Sequence, residues 1–171
     1  DYIAIYIFEP KLLSHPESSL RHQQFIYHSI LDMNTSLQPF NRHIHVFYAN
    51  TDEVFSYLTK MHFVTKVFSY QESGIKVSWE RDKQVAEVLK NNGVEWSEFE
   101  NQSVKRGVNH RVGWDKDWYL YAHSKCIQNT FSKSQLSIEK SPFDFDIKKH
   151  PDLQYYPKNY QPAGQSFAVK Y

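Results

Sequence analysis

Cysteine is almost missing from the 171 residues. Cys126 is the only one, which excludes an internal disulfide framework and a thiolate metal cluster and fits a reducing compartment. Glycine is scarce too, five residues beside seven prolines, far from the make-up of a fibrous or low-complexity chain. Neither G-x-G-x-x-G nor G-x-x-x-x-G-K-[ST] occurs, so the phosphate-cradling loops of dinucleotide and triphosphate sites are absent. No apolar run approaches the roughly 20 residues of a membrane span, and no signal-peptide pattern opens the chain. No serine stands in a nucleophile-elbow pattern. His43 and His45 alternate on one strand face, but without a third ligand at metal spacing they read as strand residues. Together these absences describe a cytoplasmic binding scaffold with no catalytic centre and no metal site of its own.

Aromatic residues, in contrast, are abundant: 12 Tyr, 12 Phe and 4 Trp make up 16% of the chain. They imply broad packing surfaces. The net charge of +1 conceals an asymmetry. Residues 1–100 carry 9 Lys+Arg against 13 Asp+Glu, net −4, and residues 101–171 carry 11 against 6, net +5. A basic second part suits a solvated segment, a nucleic-acid contact or an acidic neighbouring domain.

The hydropathy pattern alternates between two periods. Residues 2–8 are an apolar, β-branched and aromatic run stopped by Pro10, a strand expected to be covered on both faces. Ser14-His15-Pro16-Glu17 has capping-box spacing with proline in the first turn, predicting a helix start. Ile26, Ile30, Met33 and Leu37 then fall on one helical face, and Gln38-Pro39 ends it. Residues 43–49 predict a second strand. Thr51 is expected to cap a helix whose first turn holds Asp52 and Glu53, with Val54, Leu58 and Met61 inward. Residues 64–69 predict a third strand, Ser78 to Lys90 a helix stopped by Asn92-Gly93, and 94–99 a fourth strand. This β-α-β-α-β-α-β order with short connections predicts an α/β fold, a three-layer Rossmann-like doubly wound parallel sheet. Beyond Asn101 the periodicity fails. A short helix is expected near 116–126, an irregular C-terminal connector over 127–165, and the first turn of a further element at 164–171. Since the first residues already read as strand, the chain is expected to start inside a fold, as a piece of a longer protein does.

Ligands of open parallel sheets bind beyond the carboxyl ends of the strands. That rule selects Phe8-Glu9-Pro10, Asn50-Thr51-Asp52 and Tyr70-Gln71-Glu72, with the helix start at Arg81-Asp82. Glu9, Asp52 and Glu72 suit either of two roles: acceptors for ring N–H or hydroxyl groups in one cleft, or ordinary turn and cap residues. Lys105, Arg106 and Arg111, beside Trp114 and Trp118, suit packing against another domain or contact with DNA phosphates.

These strand ends resemble a known family. Phe8-Glu9-Pro10 is similar to the "F-D-P" strand end of the cryptochrome/photolyase family. Glu80-Arg81-Asp82, after the strand end Tyr70-Gln71-Glu72, resembles that family's "R-D" helix. Tyr160-Gln161-Pro162-Ala163-Gly164-Gln165 is similar to the "G-G-E" stretch that leads into its helical flavin domain. The resemblance covers most of residues 2–100 and resumes at the end of the chain. It implies an N-terminal α/β antenna domain over residues 1–126 and a connector over 127–171. A helical FAD domain would begin near Phe167. It also implies that Phe8, Glu9, Asn50, Gln71, Glu72, Arg81 and Asp82 line an antenna-chromophore site. The parent would bind FAD in the helical domain and damaged DNA as substrate. It would flip a pyrimidine dimer out of the duplex and repair it by light-driven electron transfer from reduced FAD, as a deoxyribodipyrimidine photo-lyase. The residues in hand alone would then be catalytically silent. Two features depart from the family. Its opening "W-F-R-R-D-L-R" strand, central in the sheet, is absent before Asp1. Val77-Ser78 stands where folate-binding members carry an Asn-Glu pair, which speaks against folate and leaves a flavin, a deazaflavin or no antenna open. A blue-light photoreceptor cryptochrome without repair activity and an unrelated α/β nucleotide-binding module remain the competing readings.

Overall fold

The computed structural model describes residues 1–72, 74–100, 110–125, 127–136 and 138–168. Lys105, Arg106 and Cys126 therefore lie outside the described residues. The chain divides into two compact units, Asp1–Val54 with Phe131–Tyr171, and Phe55–Thr130.

In the first unit, β1 (Ala4–Phe8) and β2 (Ile44–Tyr48) pair in parallel, with Ala4 opposite Ile44 and Phe8 opposite Tyr48. Parallel strands need a crossover, and α2 (Leu20–Leu37) supplies it after the short α1 (Pro10–Leu13). The helix start expected at Ser14 lies five residues further on. Ser14 sits in the right-handed helical region and closes α1, its N–H donating to the Pro10 carbonyl, so it lacks the extended backbone of an N-cap. Ser19 has that backbone, and its Oγ accepts from the His22 N–H at 3.3 Å. Gln38-Pro39 does end α2, through a 3-10 turn closed by left-handed Asn41 (φ 51°). On the inward face Ile30 is buried, but Met33 is 36% exposed, whereas Gln24 is only 4% exposed. Gln24 is buried because its amide donates to the Asp152 carbonyl at 2.8 Å.

The segment from residue 131 onward is irregular, as expected, yet it is tied to this unit. Phe47 and Asp144 form an antiparallel bridge. The Tyr48 N–H donates to Phe143 (2.8 Å) and the Phe145 N–H to Val46 (2.9 Å), which closes one edge of β2. The Phe145 ring lies 5.1 Å from Phe8 and 5.2 Å from His150. A 3-10 turn (Ile147–Lys149), α6 (Pro151–Gln154) and α7 (Gln165–Ala168) complete the unit.

In the second unit, β3 (Lys66–Tyr70) and β4 (Glu95–Phe99) are also parallel, with Lys66 opposite Glu95 and Tyr70 opposite Phe99. Their crossover is α4 (Lys76–Asn91), ended by Asn92 and by Gly93 at φ 68°, as the left-handed cap predicts. Val85, Leu89 and Val94 form the core, packed by Phe55, Val64, Val67 and Trp96. The opposite face of this pair leaves Phe68, Tyr70 and Phe99 exposed. α5 (Trp114–Ala122) also presents Trp114, Trp118 and Tyr119 to solvent. α3 (Thr51–Met61) follows β2 and runs across the boundary between the units in sequence. The parallel α/β reading thus holds in both units, which are two-stranded among the described residues. No helix among them is long and apolar enough to cross a membrane.

Two stability predictions follow from the first unit. Phe47 is 1% exposed, so Phe47→Ala should cost about 3–5 kcal/mol, read as a shifted midpoint in chemical denaturation. The His43 and His45 rings lie tilted against each other with centres 3.9 Å apart. Burial holds the His45 imidazole below its ordinary value of 6.5; His43 acts in the same direction and Asp144 opposes it. The fold therefore prefers neutral His45. Stability present at pH 7 should be lost as pH falls from about 6.5 through the lower folded value. Denaturation curves between pH 7.5 and 5 should show this loss, and His45→Gln should flatten it.

Candidate functional site

Parallel register places the carboxyl ends of paired strands side by side, and each unit gathers polar residues there. In the first unit Phe8 is 1% exposed and Glu9 7%. The Glu9 backbone is extended, and its carbonyl accepts from Leu12 (3.0 Å) and Leu13 (2.9 Å), opening α1. At the end of β2, Asn50 rather than Thr51 occupies the cap position, because Thr51 is already helical. Glu53 reaches back, its Oε2 accepting from the Asn50 N–H (3.1 Å) and side-chain amide (2.9 Å), the reciprocal half of a capping box. The amide of Asn50 is thereby committed to Glu53.

The second unit assembles a tighter group. The ladder of β3 runs one residue past its end, with the Gln71 N–H donating to Phe99 at 2.8 Å. Glu72 then folds back: its Oε1 accepts from the Gly74 N–H at 2.7 Å, and its Oε2 lies 3.6 Å from Arg81 Nη2. The Arg81 guanidinium also grips Asp82 through Nε (3.0 Å) and Nη2 (2.8 Å). Ser78, 3% exposed, donates its hydroxyl to the Ile75 carbonyl at 2.7 Å and shapes the first turn of α4. One cation between two partly buried carboxylates is a preorganised array of donors and acceptors.

Glu98 escaped the sequence reading. On β4 it alternates with Trp96 and faces the same way, and Trp96 packs on the α4 core while donating its indole N–H to Ser69 Oγ at 3.0 Å. Glu98 thus points to the α4 side of the sheet, near the carboxyl end. Its Oε1 is buried without a hydrogen-bond partner among the described residues. A buried acceptor left open is costly. The only signal for it in the sequence was a charged residue at an inward position of a strand.

The structure therefore brings together Gln71, Glu72, Arg81 and Asp82 in one unit, and Phe8, Glu9 and Asn50 in the other. Arg111 is exposed, its carbonyl accepting from the Trp114 N–H ahead of α5; its expected companions Lys105 and Arg106 are outside the described residues. Among the described residues no group of three or more His, Cys, Asp or Glu side chains is placed to hold a metal ion.

Residues 1–106 match the family model for DNA photolyase. The chain belongs to that family. No curated protein matches it in sequence. Among solved structures it is similar to the archaeal photolyase of Sulfolobus tokodaii, which carries two FAD molecules. The two are 18% identical, with a TM-score of 0.69 over 98% of this chain and 39% of that one. It is also similar to a class III photolyase of Agrobacterium tumefaciens (14%, TM-score 0.63, 98% and 37% covered). A cryptochrome of Synechocystis gives 14%, TM-score 0.61, with 85% and 34% covered. At these identities the likeness shows the fold, and the chain spans 34–39% of the photolyase and cryptochrome chains it is compared with.

The Glu72 turn yields a direct prediction. A Cβ on Gly74 would stand 2.6 Å from Glu72 Oε1. Gly74→Ala should displace that carboxylate from the Gly74 N–H and loosen its approach to Arg81. In an NMR spectrum the 74 amide should move upfield as its charge-assisted hydrogen bond is lost, with the signals of the Val85–Leu89 core unchanged.

Proposed function

We propose that this chain is the N-terminal antenna-binding part of a photolyase or cryptochrome-like flavoprotein, whose parent repairs pyrimidine dimers in DNA under light. The observation that carries the reading is the family match over residues 1–106, joined to the Glu72–Arg81–Asp82 array beyond the strand ends. FAD belongs, in this reading, to a following helical part, as the family resemblance implies. The antenna, a flavin or deazaflavin, absorbs light and passes its excitation on.

The residues present fit such a pigment. A fused heterocycle offers ring N–H donors and carbonyl acceptors. Glu72 and Glu98 supply acceptors for the former, and the Arg81 guanidinium supplies donors for the latter, fixed in orientation by Asp82. Binding would supply a donor to Glu98 Oε1, which has none among the described residues. Gln71 belongs to the same group, while Phe8, Glu9 and Asn50, which the family resemblance also assigns to the antenna, lie in the first unit. Arg111 and the aromatic α5 meet the flavin-bearing part.

The test uses the full-length protein, purified with its pigments. It should hold FAD and a second chromophore, and it should restore dimer-containing DNA under blue light. Arg81→Ala and Glu98→Gln should each lower antenna affinity about tenfold, the scale of a lost hydrogen bond to a charged group, with FAD content unchanged. A protein without flavin would falsify the reading. Flavin bound without repair would move the parent to the photoreceptor class.

A further inference from the structure

Four polar residues stand on one face of α2 at spacings of three, four and four, and each holds the C-terminal segment of the same unit. The Arg21 guanidinium lies over the Tyr160 ring, 4.8 Å from its centre. Gln24 donates to the Asp152 carbonyl at 2.8 Å. His28 Nε2 donates to Leu153 at 3.2 Å, and its ring stands 4.8 Å from Tyr156. Asp32 accepts from the Ser166 N–H at 3.1 Å and from the Ser166 hydroxyl. Stations one turn apart on a helix face a single line, so the segment is registered along α2 from residue 152 to residue 166.

Asp32 is the terminal station and differs in kind. α7 begins at Gln165, and Asp32, 134 residues away from Ser166, takes the place of the missing side-chain cap. The Ser166 hydroxyl and amide, then the Gln165 amide, hold its carboxyl below the ordinary range. Gly164 makes the approach possible. Its φ is +108°, and a Cβ there would stand 2.5 Å from Asp32 Cβ, Cγ and Oδ2.

We propose that the Arg21–Gln24–His28–Asp32 stripe is a positioning track, and that Asp32, clamped on Ser166 beside Gly164, fixes the direction in which the chain leaves this unit toward the flavin-bearing part. The second half of this statement rests on the function proposed above. None of the four residues touches a reacting atom; they act by setting where the antenna part and the flavin part stand, on which excitation transfer depends.

The experiment uses the full-length, pigment-loaded protein with Asp32→Ala, Asp32→Asn and Gly164→Ala, read by amide exchange and by antenna-to-FAD energy transfer. Asp32→Ala should speed exchange of the Ser166, Phe167 and Ala168 amides about fivefold or more, the scale of a lost cap. The Tyr48 and Phe145 amides at the β2 edge should keep their protection. Asp32→Asn, which retains one acceptor oxygen, should give a smaller rise. Gly164→Ala should match Asp32→Ala, and it serves if Asp32→Ala folds poorly. Energy transfer should drop at least twofold with both pigments still bound. Unchanged Ser166 exchange, or equal loss at Ser166 and Tyr48, overturns the clamp. Faster exchange with unaltered energy transfer overturns the positioning role. A preparation without flavin sinks the proposed function and the link to the flavin part, while the Ser166 amide still decides the clamp.

Discussion

Two parallel strands cannot be joined by a tight turn; the chain has to travel back along the sheet before it can pair again. In each unit that requirement places a helix against the strands, α2 between β1 and β2 and α4 between β3 and β4. It also lays the two carboxyl ends next to each other, as the registers Phe8–Tyr48 and Tyr70–Phe99 show. The returning helix brings its amino-terminal turns to that same end. Acceptors emerging from the strands thus meet donors on the helix, which is how Glu72 comes to lie opposite Arg81. The polar array follows from strand direction, and its chemistry from which side chains the loops carry.

The same backbone logic explains why the long irregular segment is ordered. An open strand edge leaves N–H and C=O groups that must find partners. Phe143 and Phe145 provide them for β2, and further back Ser134 donates its N–H to the Phe40 carbonyl while accepting the Asn41 amide at its own carbonyl. Asp1 joins this knot, accepting from Arg42 at 2.9 Å and from the Ser134 hydroxyl at 2.8 Å. These ties use main-chain polar groups and a few side chains, so the segment needs no hydropathy period. Its apolar contribution is local, as with Leu153, 4% exposed, and Ala163, 7% exposed.

This division marks what was legible in the amino-acid sequence. The four strands, the crossover helices, the stop at Asn92-Gly93 and the family resemblance were readable, because periodicity, β-branching and left-handed caps are local signals. The start of α2 is ambiguous in the sequence: Ser14 and Ser19 both have cap chemistry, and only the existence of α1 decides between them. Asn50 rather than Thr51 holds the cap of α3, a one-residue shift that turn composition does not resolve. Arg81-Asp82 was found through its motif. Glu98 was not, since an acid inside a strand carries no mark of whether its oxygens meet donors. Nor were the bonds of residues 131–168 to the first unit readable, for they depend on backbone groups that every residue possesses.

α2 joins both kinds of information in one element. Its Ile30 obeys the apolar period and buries by area alone, an attraction with no direction that would tolerate a slide along the helix. Gln24 disobeys the period and is nearly as buried. An amide in that position is tolerable only with its donor matched, and hydrogen bonds weaken steeply with misalignment. A one-residue slip of the 152–153 backbone would strand Gln24 and displace the His28 bond with it. The polar face thus supplies registration that the apolar face cannot. That makes the departures from amphipathic pattern, rather than the pattern itself, the informative positions of this helix.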